Sequence, residues 1–226
     1  SFLFFLQFLP KGAGFFYIWS MRISAAASTL FLFLSFQNFS QNPRIDSMLA
    51  LLKTKPADTV IINTYNELNW ETFQEGLYDT AIYFANEAIK LEEKALKIQR
   101  SGGRHYTAVK ELEAISYMYR AGTYLILSNF AEALKDNRLA HEAFKELGDK
   151  EGMANSLFGT GGVYKGMGHY AEALSNHFAA LKIREERKDK MAIAASYNNI
   201  GSIYRAMKDY DKSLQYLQKS LALKKE

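Results

Sequence analysis

Cysteine is absent from the 226 residues. That excludes disulfides, thiolate metal sites and a lipid-modified amino-terminal cysteine. No single sign of charge dominates either. The 28 Lys and Arg stand against 24 Asp and Glu, for a formal +4, and the two signs are interleaved, as in LKIREERKDK from Leu181. Such runs read as solvated helix surface rather than a nucleic-acid face, and no nucleic-acid partner is expected. The four histidines, His105, His141, His169 and His177, show neither metal-ligand spacing nor a paired nucleophile. No catalytic constellation, metal or cofactor is expected, and the chain does not read as an enzyme. What the sequence does have is apolar content of 48%, enough for a substantial core in a chain of this length.

Residues 1–40 differ from all that follows, being rich in Phe, Leu and Ala with charge reduced to Lys11 and Arg22. Met21 and Arg22 followed by ISAAASTLFLFLSF have the form of a signal peptide, with Met21 as the expected start and the preceding residues as upstream sequence. The apolar run falls short of the roughly 20 residues of a membrane span, with an uncleaved anchor as the alternative. The expected location is therefore exported, periplasmic or membrane-associated, with any membrane contact made through this segment or through sequence beyond the chain.

A phrase returns every forty residues: AISYMYRAGTYLILSNFAEAL from Ala114, ANSLFGTGGVYKGMGHYAEAL from Ala154 and AASYNNIGSIYRAMKDYDKSL from Ala194. A period of this size signals a stacked repeat, in which each unit buries its apolar stripes only against its neighbours. Counting from those alanines, position 8 is small (Ala121, Gly161, Gly201) and position 11 is tyrosine (Tyr124, Tyr164, Tyr204). Position 17 is aromatic (Phe130, Tyr170, Tyr210), position 20 is small (Ala133, Ala173, Ser213) and position 27 is small again (Ala140, Ala180, Ser220). Small residues facing large ones fix a helical hairpin, and Gly148 ends one second helix. A more degenerate unit lies upstream, with Tyr78, Ala81, Ala85 and Ala88 where a second helix expects them. Ala81 to Ala133 is 52 residues, twelve more than the period. Because helical pattern runs up to Arg100 and resumes by Ala108 around the breaker SGGRHYT, both flanking helices are expected to be longer by one or two turns, with a projecting hairpin tip. Ile45 to Lys53 reads as a short amphipathic helix ending before Pro56.

These positions closely resemble the tetratricopeptide repeat over Ala114 to Glu226. The resemblance implies an all-α, right-handed α-solenoid of helix-turn-helix repeats. It departs from the common form in its forty-residue unit and in lacking proline at position 32, both features similar to a long-unit variety in bacterial signalling proteins. The expected organisation is the apolar segment 1–40, a helix and linker over 41–57, a degenerate unit with an extended hairpin over 58–113, and repeats at 114–153, 154–193 and 194–226. The last repeat ends without the polar cap such arrays use, so the array is expected to continue, with a covering subunit as the alternative.

In the tetratricopeptide pattern, positions 2, 5, 6, 9, 12 and 13 of each first helix face a concave groove. The resemblance places Met118 and Tyr119 there from the first of these units. Asn155, Phe158, Gly159, Gly162 and Lys165 come from the second, and Asn198, Asn199, Ser202 and Arg205 from the third. Tyr119 and Phe158 are the expected anchors; Lys165, Asn198, Asn199 and Arg205 would supply polar selection, an asparagine offering donor and acceptor together. Gly159, Gly162 and Gly166 share a face: either bare backbone lets a ligand approach or these are drifted solvent positions. GTGGVYKGMG is not a phosphate loop, since no strand precedes it. A chaperone-type carboxylate clamp is not supported, because Phe158 and Gly162 stand where it needs lysine and asparagine. The function implied is a scaffold that binds a protein or peptide, as the sensory region of a larger bacterial signalling protein such as a two-component histidine kinase. A free-standing exported adaptor is the alternative, and any kinase activity would belong to further sequence.

Overall fold

The structure, a computed structural model, describes residues 42–98 and 103–225; the signal-peptide and start-site expectations over 1–40 lie outside them. The chain divides into Ser1–Pro43 and a repeat body, Arg44–Glu226. The described part of the body is all helical. It opens with α1 (Pro43–Lys53), whose proline sits at the first helical position, where its missing N–H is no loss and whose Ile45 and Met48 are buried. Eight helices follow as four hairpins: α2 (Asp58–Gln74) with α3 (Tyr78–Ile98), α4 (Arg104–Ile126) with α5 (Phe130–Leu147), α6 (Lys150–Gly166) with α7 (Tyr170–Arg187), and α8 (Lys190–Ala206) with α9 (Tyr210–Lys225). From α2 to α9 each helix packs on the next, and the first helices α2, α4 and α6 also pack side by side. This is an α-solenoid of helix-turn-helix repeats. The helices α3 and α4, either side of 99–102, run 21 and 23 residues against 16 to 18 for α5 to α9.

The small positions are where helices meet. Ala114, Ala154, Ala194, Ala133, Ala173, Ala140 and Ala180 have no exposed surface. At Gly161 a Cβ would fall 2.9 Å from the His177 ring, and at Gly152 it would enter the Phe144 ring at 2.1 Å. The reversals repeat with the same period. Ser128, Gly168 and Lys208 take a left-handed conformation between the helices of their hairpins, and Gly148 and Lys188 take it between hairpins. Asp149 and Asp189 then cap α6 and α8 by accepting the N–H of Glu151 and of Ala192, satisfying donors that a helix start leaves open.

Polar joints run between the hairpins. A fully buried serine occupies position 3 of three units: Ser116, Ser156 and Ser196. Each meets a polar side chain from the preceding second helix. Ser116 donates to Glu92 Oε1 at 2.6 Å, Ser156 Oγ lies 2.9 Å from His141 Nδ1, and Ser196 accepts from Arg184 Nη1 at 2.8 Å. Within the α4–α5 hairpin, Arg120 grips the buried Asp136 with two bonds, Nε at 2.7 Å and Nη2 at 2.8 Å. At the far end, Leu221 is 53% exposed where its counterpart Leu181 is 6% exposed.

Candidate functional site

The first helices present two adjoining clefts. One, of about 250 Å³, is lined by Asn69, Trp70 and Phe73 from α2 and by Met118, Tyr119 and Gly122 from α4. It is aromatic: the Trp70 ring stands 5.7 Å from Tyr119 and 6.1 Å from Phe73, centroid to centroid, and Trp70 remains 46% exposed. Alternation of the helical stripe explains this, since Leu68 and Asn69 turn inward and leave Trp70 on the open side. The second cleft, of about 320 Å³, shares Met118 and Gly122 with the first and is completed by Ala121, Leu125, Asn137, Asn155, Phe158, Gly159 and Arg184. Gly122 forms a common floor where a Cβ would meet nothing within 4 Å.

Arg184 changes the reading of its segment. In LKIREERKDK it looks like solvated surface, yet it is only 7% exposed, because it shares the buried stripe of Ala173, His177, Ala180 and Leu181 on α7. Its guanidinium lies 4.6 Å from the Phe158 ring centroid and donates to Asn155 Oδ1 at 2.9 Å and to Ala192 O at 3.2 Å, besides Ser196. Burial pulls its pKa below the usual arginine value, while Asp189 and Glu151 oppose this from a distance. On the other side of Phe158, His177 packs edge-on at 4.9 Å. It is wholly buried, neither ring nitrogen has a protein partner, and burial, then Lys165 and Arg184, push its pKa down to about 4. His177 is thus a neutral packing residue.

The groove positions expected from the sequence divide into two sets. Met118, Tyr119, Asn155, Phe158 and Gly159 come together at the clefts. Lys165 instead reaches Ser202, donating at 2.8 Å; Asn199 returns its amide to Ala195 O of its own helix at 3.1 Å; Asn198 and Arg205 are exposed on α8. None of those on α8 lines the two clefts. The glycine stripe is packed against its neighbours at two positions: Cβ atoms at Gly159 and Gly166 would lie 2.5 Å from Asn137 and 3.0 Å from Phe130, while at Gly162 one would make ordinary contact with Leu125 at 3.6 Å. The stripe seats side chains of the preceding hairpin.

Residues 112–186 and 179–226 match the family described as Tetratricopeptide repeat, together half of the chain. The chain belongs to the tetratricopeptide repeat family. Solved structures share the fold. BtubC from P. vanneervenii gives a TM-score of 0.61 at 20% identity, covering 74% of this chain and 65% of that one. The apo form of RapI gives 0.66 at 16%, covering 87% and 70%. A Rap protein complexed with Competence and Sporulation Factor gives 0.62 at 15%, covering 90% and 56%. This chain therefore spans about two thirds of the length of the first two and little more than half of the third. No curated protein matches it in sequence. Tetratricopeptide arrays generally act as scaffolds for protein or peptide partners, and this chain carries the groove-forming parts of that design. Among the described residues no group of three or more His, Cys, Asp or Glu is placed to hold a metal ion, and no helix is long and apolar enough to cross a membrane.

Sequence reasoning passed over Trp70, Phe73, Gly122, Asn137 and Arg184. Position 9 of the unit at Ala114 is Gly122, directly readable from the tetratricopeptide pattern. The α2 residues were hidden because their unit is degenerate. Arg184 was hidden by its charged neighbours, although it stands seven residues after His177 and eleven after Ala173 on one helical stripe.

Proposed function

We propose that this tetratricopeptide array binds an extended segment of a protein partner along the face made by α2, α4 and α6, and that it serves as the sensory or interaction region of a larger bacterial signalling protein. The observation that carries the binding reading is the pair of clefts joined over Gly122: an aromatic set led by the exposed Trp70 beside a cleft that holds Asn137, Asn155 and Arg184. Exposed aromatic side chains converging on one concavity supply anchor sites of the kind that dominate binding energy. The signalling assignment is supported by the long-unit resemblance and by the fold shared with a Rap protein in complex with Competence and Sporulation Factor. An exported or membrane-associated location follows from the reading of residues 1–40, and a kinase domain would lie in further sequence. A free-standing exported adaptor is favoured instead if the natural gene continues only into a polar capping helix.

The decisive variant is Gly122→Leu, which places a side chain over the common floor where its Cβ meets nothing within 4 Å. Peptide-display selections on the native protein should yield sequences that bind it, and Gly122→Leu should lose them while keeping its helical circular dichroism. Selected peptides that bind both proteins equally would refute a groove at this face.

A further inference from the structure

We infer that Arg184 is a carboxylate-recognition residue, and that the segment seated in the groove is acidic, with an apolar side chain near its acid. This rests on the groove-binding reading above and specifies its chemistry.

A guanidinium has five N–H donors. In Arg184 the two on Nη1 go to Ala192 O and Ser196 Oγ, and one on Nη2 goes to Asn155 Oδ1. Nε–H and one N–H of Nη2 are left without a protein acceptor, on a side chain that lines the second cleft. Those are the same two nitrogens with which Arg120 grips Asp136 elsewhere in the molecule. Arg120 has its carboxylate; every partner of Arg184 is neutral. The nearest acids are engaged elsewhere, Glu151 with Arg187 at 2.7 Å and Asp189 with the N–H of Ala192 at 3.0 Å. A buried cation bound only by neutral groups and an aromatic face is poorly compensated, and a carboxylate is the ligand that forms strong, two-point bonds to it.

Charge around the cleft agrees. Among the residues that line it, Arg184 is the one that carries a charge. Asn137, 4% exposed, lines the same cleft as a neutral polar wall. The adjoining cleft, with Trp70, Phe73 and Tyr119, accepts an apolar side chain. Because the two share Met118 and Gly122, one short segment reaches both.

The test uses amino-acetylated, carboxyl-amidated peptides with one phenylalanine and one glutamate separated by one to four residues, each paired with a glutamine version. They are titrated into the full ¹⁵N-labelled chain while the Arg184 Nε–Hε resonance is followed. A glutamate peptide is expected to shift that resonance and to bind at least tenfold more tightly than its glutamine partner, the scale of one charge-assisted bond. Arg184→Gln should erase the preference and leave weak binding; Arg184→Lys, which keeps charge without the fork, should fall between them. Glutamate and glutamine peptides binding the unaltered chain alike, or a preference that survives Arg184→Gln, would overturn the inference while leaving the groove standing. If neither peptide type binds and Gly122→Leu is silent, the groove reading falls and takes this one with it.

Discussion

Glu92 should be a destabilising residue at neutral pH, and replacing it with glutamine should strengthen the array. The side chain is completely buried. One oxygen receives the Ser116 hydroxyl, the other has no partner, and Asn66, which bonds the same hydroxyl, carries an unpartnered amide nitrogen. Burial raises the Glu92 pKa to about 8; the Ser116 bond and Arg120 pull it down, while Glu113 and Glu93 push it up. The folded chain therefore keeps a proton at pH 7 that the unfolded chain, titrating near 4.5, has released. Below pH 4.5 both states are protonated and the effect vanishes. Between 4.5 and about 8 the folded state binds more protons, so stability falls as pH rises. At about 1.36 kcal/mol per unit, the loss at pH 7 is about 3 kcal/mol. Glutamine keeps the shape and the hydrogen-bonding capacity without a proton to hold. Urea unfolding of the native chain and Glu92→Gln across pH 4.5 to 8 should show curves that coincide at the acid end and diverge by about 2–3 kcal/mol at pH 7. Parallel curves, or a variant weaker at every pH, would refute the assignment of a neutral buried acid.

His177 acts with the opposite sign. Its folded pKa of about 4 lies below the usual histidine value of 6.5, so stability is intact above 6.5 and is lost as pH falls towards 4, by up to about 3 kcal/mol. His177→Leu should flatten that acid limb in the same urea series. Two glycines should respond in opposite directions to alanine: Gly152→Ala drives a methyl into the Phe144 ring and should lower stability by about 1–3 kcal/mol, whereas Gly122→Ala, with nothing within 4 Å, should raise it by about 0.5–1 kcal/mol. Thermal unfolding reads both. Arg120→Ala leaves Asp136 buried without its cation and should cost about 3–5 kcal/mol, a loss that Arg120→Ala with Asp136→Ala should partly recover.

The hairpins were legible because their signal is geometric. A small residue at position 8 facing another at position 20 leaves only one way to bring two helices together, and the forty-residue return states it three times. The left-handed reversals were legible at Gly148 but not at Ser128, Lys188 or Lys208, where the register of the repeat rather than the residue type imposes the conformation. The groove was half legible. Tyr119 and Phe158, read from the tetratricopeptide pattern, line the two clefts, but the pattern's groove positions lie on first helices alone. It is blind to Asn137 and Arg184, which enter the cleft from second helices. The buried serines at position 3 escaped because serine is read by default as surface, and only their shared period betrays a joint.

Helix α6 carries five glycines in seventeen residues: Gly152, Gly159, Gly161, Gly162 and Gly166. Relative to alanine they surrender on the order of 5 kcal/mol of intrinsic helix preference, which α6 recovers from Phe144, Asn137, His177, Leu125 and Phe130 pressed against it. A solenoid under tension transmits load from hairpin to hairpin, and it parts where a helix depends most on its neighbours. Stretched from its two ends, this array should yield first at α6. The cleft that α6 lines with Asn155, Phe158 and Gly159 would then open before the flanking hairpins unravel, making the grip on a bound segment sensitive to pull along the chain.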